Sequence, residues 1–334
     1  MGTVEWMDKR LDEGIKRMNG IMMGKLSCSV VLSTYNGKKF LEKQLDSIRN
    51  QSRNPDEVVI GDDGSEDNTV LIITSYIKKY GLNWRLICND KNKGFYKNFI
   101  DLAFQTKSDV VFFCDQDDIW EVDKIKENMS FLESHPSAMA VSCNIKCIDQ
   151  DDFPVKNRQY FNVDRVTKIK LKNILYTSNI LGCTLGFRRK LLNIIEQNRL
   201  KATAGSHDTL ISIVAASVDG LYKIPYVGLS YRIHGHNTSM QKENSRVRQI
   251  EKLQLFYSDL NGAIVNDGII RDFIYKRLLD VETLQNDRLN CLKKGTICGQ
   301  LCDLVLYIEF AGGMFRGLRL CAADIYYSVK AMQR

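Results

Sequence analysis

Between Ser27 and Cys114 the chain alternates short, nearly continuous apolar runs with longer stretches in which apolar residues recur at helical spacing. The runs SCSVVLS (27–33), DEVVIG (56–61), WRLIC (84–88) and DVVFFC (109–114) have the length and the β-branched or aromatic content of strands. The segments KKFLEKQLDSIRNQ, about Val70 to Lys79, and FYKNFIDLAFQT carry the helical period. A strand covered on both faces loses its in–out alternation, so this pattern predicts βαβ units: a mostly parallel, Rossmann-like α/β sheet flanked by helices. Ligands of such sheets bind outside the carboxyl ends of the strands. Three loops lie there: STYNG after the first strand, DDGSEDNT after the second and DQDD after the fourth.

DQDD crowds three aspartates into four positions. Like charges so close are costly unless a cation or water sits among them. Asp115 and Asp117 leave an extended segment on the same side and can share one hard cation, Mg2+ or Mn2+. Asp118 points elsewhere, toward a sugar hydroxyl or a water. A solvated acidic turn accounts for the same residues. In the second loop, Asp62 or Asp63 can accept the imide N–H of a uracil or thymine ring; Ser65 or Asp67 can cap the following helix. Thr34 and Tyr35, with Asn36 beside them, offer a cradle for the base, or a bare turn.

Taken in order, VVLSTYNGKKFLEKQLDSIRNQ, EVVIGDDGSEDNT, NKGFYKNF and FFCDQDDIWEVDKI resemble the successive signatures of the family 2 glycosyltransferases. The likeness is greatest to the rhamnosyltransferase-like branch of bacterial surface-polysaccharide biosynthesis. The resemblance spans about residues 27–240 and implies a GT-A fold, a UDP- or dTDP-sugar donor, a divalent metal and inversion at the anomeric carbon. It places Thr34, Tyr35 and Asp63 around the base, and Asp115 and Asp117 on the metal–diphosphate with Asp118 adjacent. Lys93 and Asn98 fall in the segment lining the nucleotide pocket. The family's general base matches Asp208 in GSHDTLIS, with His207 beside it; a plain helix cap is the competing role. Gly182, Cys183 and Thr184 would lie near the donor sugar, with Arg188 and Arg189 as surface charge. In YRIHGHNTS, His234 or His236 would complete the metal shell or meet the leaving diphosphate, a hydrogen-bonded loop histidine being the competing role for each, and Arg232 is the other phosphate candidate.

Composition changes this picture little. The 334 residues, 44% hydrophobic and 26% charged, can bury a sizeable core. A net charge of +7 suits an anionic ligand or lipid surface and does not argue for nucleic acid. The ten cysteines sit largely in apolar runs, which points to a reducing cytoplasm rather than disulfides. The pairs Cys143/Cys147 and Cys298/Cys302 lack the partners of a structural zinc site. No run is long enough to span a bilayer.

The expected organisation is a lead-in over 1–25, a catalytic domain over 26–240 and a helical appendage over 241–334. The stripe Phe315, Leu318, Ala322, Ile325, Tyr326 and Val329, flanked by Arg316, Arg319 and Lys330, suits an anionic membrane face and a lipid-linked saccharide acceptor. It equally suits packing on the core or on a second copy. Two rival functions are a sugar-nucleotidyltransferase, for which STYNG is a poor phosphate loop, and a non-catalytic carbohydrate-binding scaffold.

Overall fold

The computed structural model describes residues 25–155, 160–176, 180–197 and 207–235, together with Asn286, Arg288 and Cys321. The first half follows the predicted alternation: β1 (Cys28–Thr34), α1 (Leu41–Arg49), β2 (Glu57–Asp62), α2 (Thr69–Tyr80), β3 (Arg85–Cys88), α3 (Phe95–Phe104) and β4 (Val110–Cys114). The second half adds β5 (Ile119–Trp120), α4 (Lys124–Ser134), β6 (Ala140–Ile148), β7 (Thr167–Lys168) and α5 (Leu171–Tyr176). A 3₁₀ turn at Gly182–Thr184 leads into β8 (Leu185–Arg188), α6 (Lys190–Gln197), α7 (His207–Ser217) and β9 (Leu221–Arg232).

The nine strands among the described residues join one sheet in the order β3-β2-β1-β4-β8-β6-β9-β5, with β7 on β9. β3, β2, β1 and β4 are mutually parallel, as predicted. Beyond β4 the sheet is mixed: β8 pairs antiparallel with both β4 and β6, while β6 and β9 are parallel. Two apolar layers cover its faces. One gathers Val31, Phe99, Phe113, Phe187 and Leu210; the other gathers Leu32, Leu45, Ile60, Phe112 and Met129. Strands β1 and β4 feed alternate side chains into both layers, which is why their sequences read as unbroken apolar runs.

Arg188 departs from its expected place on the surface. It is buried, and its guanidinium donates to the carbonyls of Ala138 and Leu132, closing the end of α4 against β8. Of the 241–334 appendage, Cys321 is buried within the first apolar layer and Arg288 is also buried. The predicted stripe 315–329 otherwise lies outside the described residues. Among the described residues no helix is long and apolar enough to cross a membrane.

Candidate active site

The carboxyl ends of β1 and β2 are sewn together by side chains. Thr34 Oγ1 donates to Asp62 Oδ2 at 2.9 Å, and Ser65 donates to the same carboxylate through its amide (2.8 Å) and hydroxyl (2.6 Å). Asp62 thus turns inward as the clasp of its loop and presents no face to a base. Asp63 is buried as well; it accepts from Asn89 Nδ2 and from the amides of Lys93 and Gly94, each at 2.9 Å. Its role in this structure is to hold the 89–94 loop against the sheet. Asn98, also buried, donates to Ser33 Oγ (2.8 Å) and Gly61 O (2.9 Å), bracing α3 on the strand ends. Lys93 Nζ reaches Asn89 Oδ1 at 2.8 Å.

Asn36, with φ at 47°, donates its amide to Ser65 Oγ (2.8 Å) and accepts from Glu66 N (2.9 Å). Tyr35 is 43% exposed and is the open surface of this cradle. A residue that the sequence did not single out sets its position: Gln116 accepts from Tyr35 N at 2.9 Å and donates to Tyr35 O at 3.0 Å. Gly37 leaves room for it, since a Cβ there would lie 2.0 Å from Gln116 Oε1.

The chain bends at Gln116–Asp117 instead of continuing extended. The three aspartates therefore separate otherwise than strand alternation predicts. One carboxylate oxygen each from Asp115 and Asp118 and the Cys183 sulfur lie within 4.8 Å of one another. Asp117 turns to His234, whose Nε2 lies 2.7 Å from Asp117 Oδ2. Burial, then the charges of Asp117 and Asp208, push the Asp115 carboxyl up to about 7. Burial, then the charges of Asp117 and Asp115, raise Asp118, which is fully buried, well above the ordinary carboxylate range.

Arg232 was expected at a phosphate and is instead fully buried behind this loop. Its amide donates to Asp118 Oδ1 (3.0 Å), its Nε to Asp117 O (2.7 Å) and its Nη1 to Asp149 O (2.9 Å). A further ion pair with Asp152 and stacking over Phe40 fix the guanidinium in place. Lys124, unassigned in the sequence, is also fully buried; Nζ donates to Cys183 O at 2.5 Å and sits 3.4 Å from the centre of the Trp120 ring. It lies one helical turn before Asn128 on the buried face of α4, and that spacing was the available signal that it faces inward. His236 lies outside the described residues.

Asp208 stands in the first turn of α7, where Oδ2 accepts from Gly182 N at 3.2 Å and Oδ1 from Thr209 N at 2.6 Å. His207, beside it, is turned into the core. Its ring stacks on Phe99 (4.0 Å between centres) and meets Phe113 edge-on (4.8 Å). Burial, opposed only in part by Asp208, drops its pKa to about 4, so the imidazole is neutral. Gly182 permits the close approach of this ring, since a Cβ would lie 2.5 Å from His207 Nε2. Thr184 Oγ1 is taken up by Leu181 O (2.6 Å) and Ser142 Oγ (2.8 Å). Of the 182–184 turn, it is the Cys183 thiol that faces the acids. A groove of about 500 Å³ between α1 and α2, lined by Lys38, Asp46, Leu71, Tyr76, Lys79 and Tyr80, shares no residue with this cluster.

Crowded oxygen donors whose protons are held up by burial and by mutual repulsion fit a hard divalent cation, which would offset that repulsion. An α/β sheet with its acids gathered at the carboxyl ends of parallel strands is the architecture of a GT-A domain. A family model described as glycosyl transferase family 2 matches residues 29–195, and the chain belongs to that family. An uncharacterized glycosyltransferase of Nostoc sp. is 25% identical over 252 residues, 74% of this chain and 76% of that protein. The human dolichyl-phosphate beta-glucosyltransferase is 28% identical over 145 residues, 40% of this chain and 44% of that one. The chain spans about half the length of its uncharacterized Mycobacterium relatives, 27% identical over 161 residues. S. aureus TarS 1–349 in complex with UDP-GlcNAc shares the fold, with a TM-score of 0.63 at 19% identity over 91% of this chain and 90% of that one.

Proposed function

We propose that this chain is an inverting, metal-dependent glycosyltransferase. In this reading it moves a hexosyl group of rhamnose, galactose or glucose type from a UDP- or dTDP-sugar to a saccharide or lipid-linked saccharide acceptor. The product class is cell-surface polysaccharide. Family membership supports transfer chemistry, and the UDP-GlcNAc named with TarS supports a nucleotide-sugar donor. The observation that carries the reading is that Asp208 and the DQDD acids meet at one turn: Asp208 Oδ2 accepts from Gly182 N at 3.2 Å, and the next residue, Cys183, faces Asp115 and Asp118.

In this reading the exposed Tyr35 ring supports the base, in a cradle whose shape Asp62, Asp63 and Asn98 fix from behind. Asp115 and Asp117, with His234 beside Asp117, would hold Mg2+ or Mn2+ against the diphosphate. When bound, that ion supplies neutralising charge for the departing nucleoside diphosphate. Asp208 takes the proton of the acceptor hydroxyl as its oxygen attacks the anomeric carbon from the face opposite the diphosphate. The new C–O bond forms as the bond to the diphosphate breaks, and no covalent enzyme intermediate arises. The residues after 241 are the natural contact for a lipid-linked acceptor.

Asp208→Asn tests this. Nucleotide affinity should be kept while transfer falls by at least about 10²-fold, the usual worth of a positioned base. Near-normal turnover would remove Asp208 from that role. A screen of nucleotide sugars for metal-dependent hydrolysis identifies the donor.

A further inference from the structure

Lys124 is a fully buried cation for which the chemistry above has no use. It opens α4, and Gly228 leaves room for its stem, since a Cβ there would lie 3.3 Å from Lys124 Cγ. Burial lowers its pKa, while the thiols around it and Asp118 oppose that shift. A buried ammonium is costly unless its charge and its donors are taken up. The Trp120 ring face takes up part of the charge, and Cys183 O takes up a donor at 2.5 Å.

From that carbonyl the bonds run on. Cys183 O belongs to the peptide group whose N–H is that of Thr184, and Thr184 N donates to Leu181 O at 3.0 Å. Leu181 O belongs in turn to the peptide group whose N–H is that of Gly182, and Gly182 N donates to Asp208 Oδ2 at 3.2 Å. An ammonium, two peptide groups and a carboxylate thus form one chain of hydrogen bonds, with every donor directed toward Asp208. Bonds aligned in this way polarise one another, so the charge at one end strengthens the bond at the other. Thr184 Oγ1, bonded to Leu181 O and Ser142 Oγ, keeps the turn closed.

We propose that Lys124 is a positioning residue for transfer: through the peptide groups of 181–184 its charge holds and orients the Asp208 carboxylate. The proposal rests on the role of Asp208 as base given above. A neutral side chain at 124 leaves the nucleotide cradle in place and loosens the base, so the loss falls on kcat rather than on KM.

Two measurements on the full chain test this. Gly182 and Gly186 are the two glycines that follow a leucine. Labelling with carbonyl-13C leucine and 15N glycine therefore isolates their amides by NMR, and Leu181→Ile identifies Gly182 by removing its signal. Lys124→Met should move the Gly182 amide upfield and leave Gly186 nearly in place; an unmoved Gly182 overturns the relay. The second measurement is Mn2+-dependent hydrolysis of UDP-glucose, UDP-galactose or dTDP-rhamnose, whichever the wild type turns over. Lys124→Met should lower kcat about tenfold or more with KM within about twofold. In the Asp208→Asn background it should add little, because the two residues act in series. An equal loss in both backgrounds overturns the proposal. Loss in Asp208→Asn with unchanged kcat in Lys124→Met overturns this proposal alone; near-normal turnover in Asp208→Asn overturns the base reading as well. If the wild type turns over none of the three, the amide shift decides. Should Lys124→Met not fold, Lys124→Gln, also neutral, takes its place with the same expectations.

Discussion

His207 shows how one side chain can be misread from its neighbours in sequence. It sits beside the proposed base, but its ring is sealed between Phe99 and Phe113, and its pKa falls from the ordinary 6.5 to about 4. The sign of the consequence is fixed. The unfolded chain takes up a proton below about 6.5 and the native chain only below about 4, so the contribution of His207 is complete at neutral pH. It is lost as pH falls through that interval. His207→Leu lacks this loss. In urea denaturation, the stability difference between wild type and variant should shift by roughly 3 kcal/mol, in the variant's favour, between pH 7 and pH 4. The Asp115 carboxyl titrates with opposite sign in both proteins and drops out of the comparison. A difference that stays constant across the three-unit range would mean that the imidazole titrates as if exposed, contrary to its packing.

At the scale of elements, the site depends on loops held by their neighbours. The Tyr35 cradle is tied to the 115–118 loop through Gln116, and Gly37 gives that side chain its space. Gln116→Ala should weaken UDP binding several-fold in calorimetry while changing stability by less than about 1 kcal/mol, since these bonds lie at the surface. Gly37→Ala pushes the same amide aside and should do likewise; combined, the two should cost no more than either alone. Full additivity would separate their effects and break the proposed link. The parallel half of the sheet was legible because β1, β2 and β4 are covered on both faces and read as apolar runs. Strands β6 and β9 were not. Buried Ser142 and Asn144 of β6 and Lys223 of β9 interrupt the apolar pattern, and their polar groups are satisfied by partners far along the chain, as when Asn144 bonds to Val163 and Lys223 to Cys143 O. The acidic motif was legible in kind but not in geometry. Alternation holds only in an extended chain, and the bend at Gln116–Asp117 sends Asp117 to His234 and brings Asp118 to Asp115. Arg232 looked like a phosphate ligand because the role of a cation depends on burial, which its own sequence does not display.

For the whole molecule, the arrangement sets net acidity at one edge of a chain that carries +7 overall. The acids of DQDD and Asp208 come from segments at least ninety positions apart in numbering, so their mutual repulsion is imposed by folding rather than by local sequence. A nucleoside diphosphate alone brings further negative charge to that edge and should bind poorly. With Mn2+ the same ligand arrives with its charge offset and should bind the native state selectively. At a hundredfold excess over its dissociation constant such a ligand stabilises by about 2.7 kcal/mol. In a domain of this size that is a rise of roughly 5–10 °C in thermal midpoint. UDP without metal should give little shift, and Asp117→Ala should abolish the increment that Mn2+ adds, leaving the UDP-only value unchanged. If UDP stabilised equally with and without Mn2+, the acids would have to be neutralised from within the protein. Lys124, behind the 182–184 turn, is then the group whose charge would have to do it.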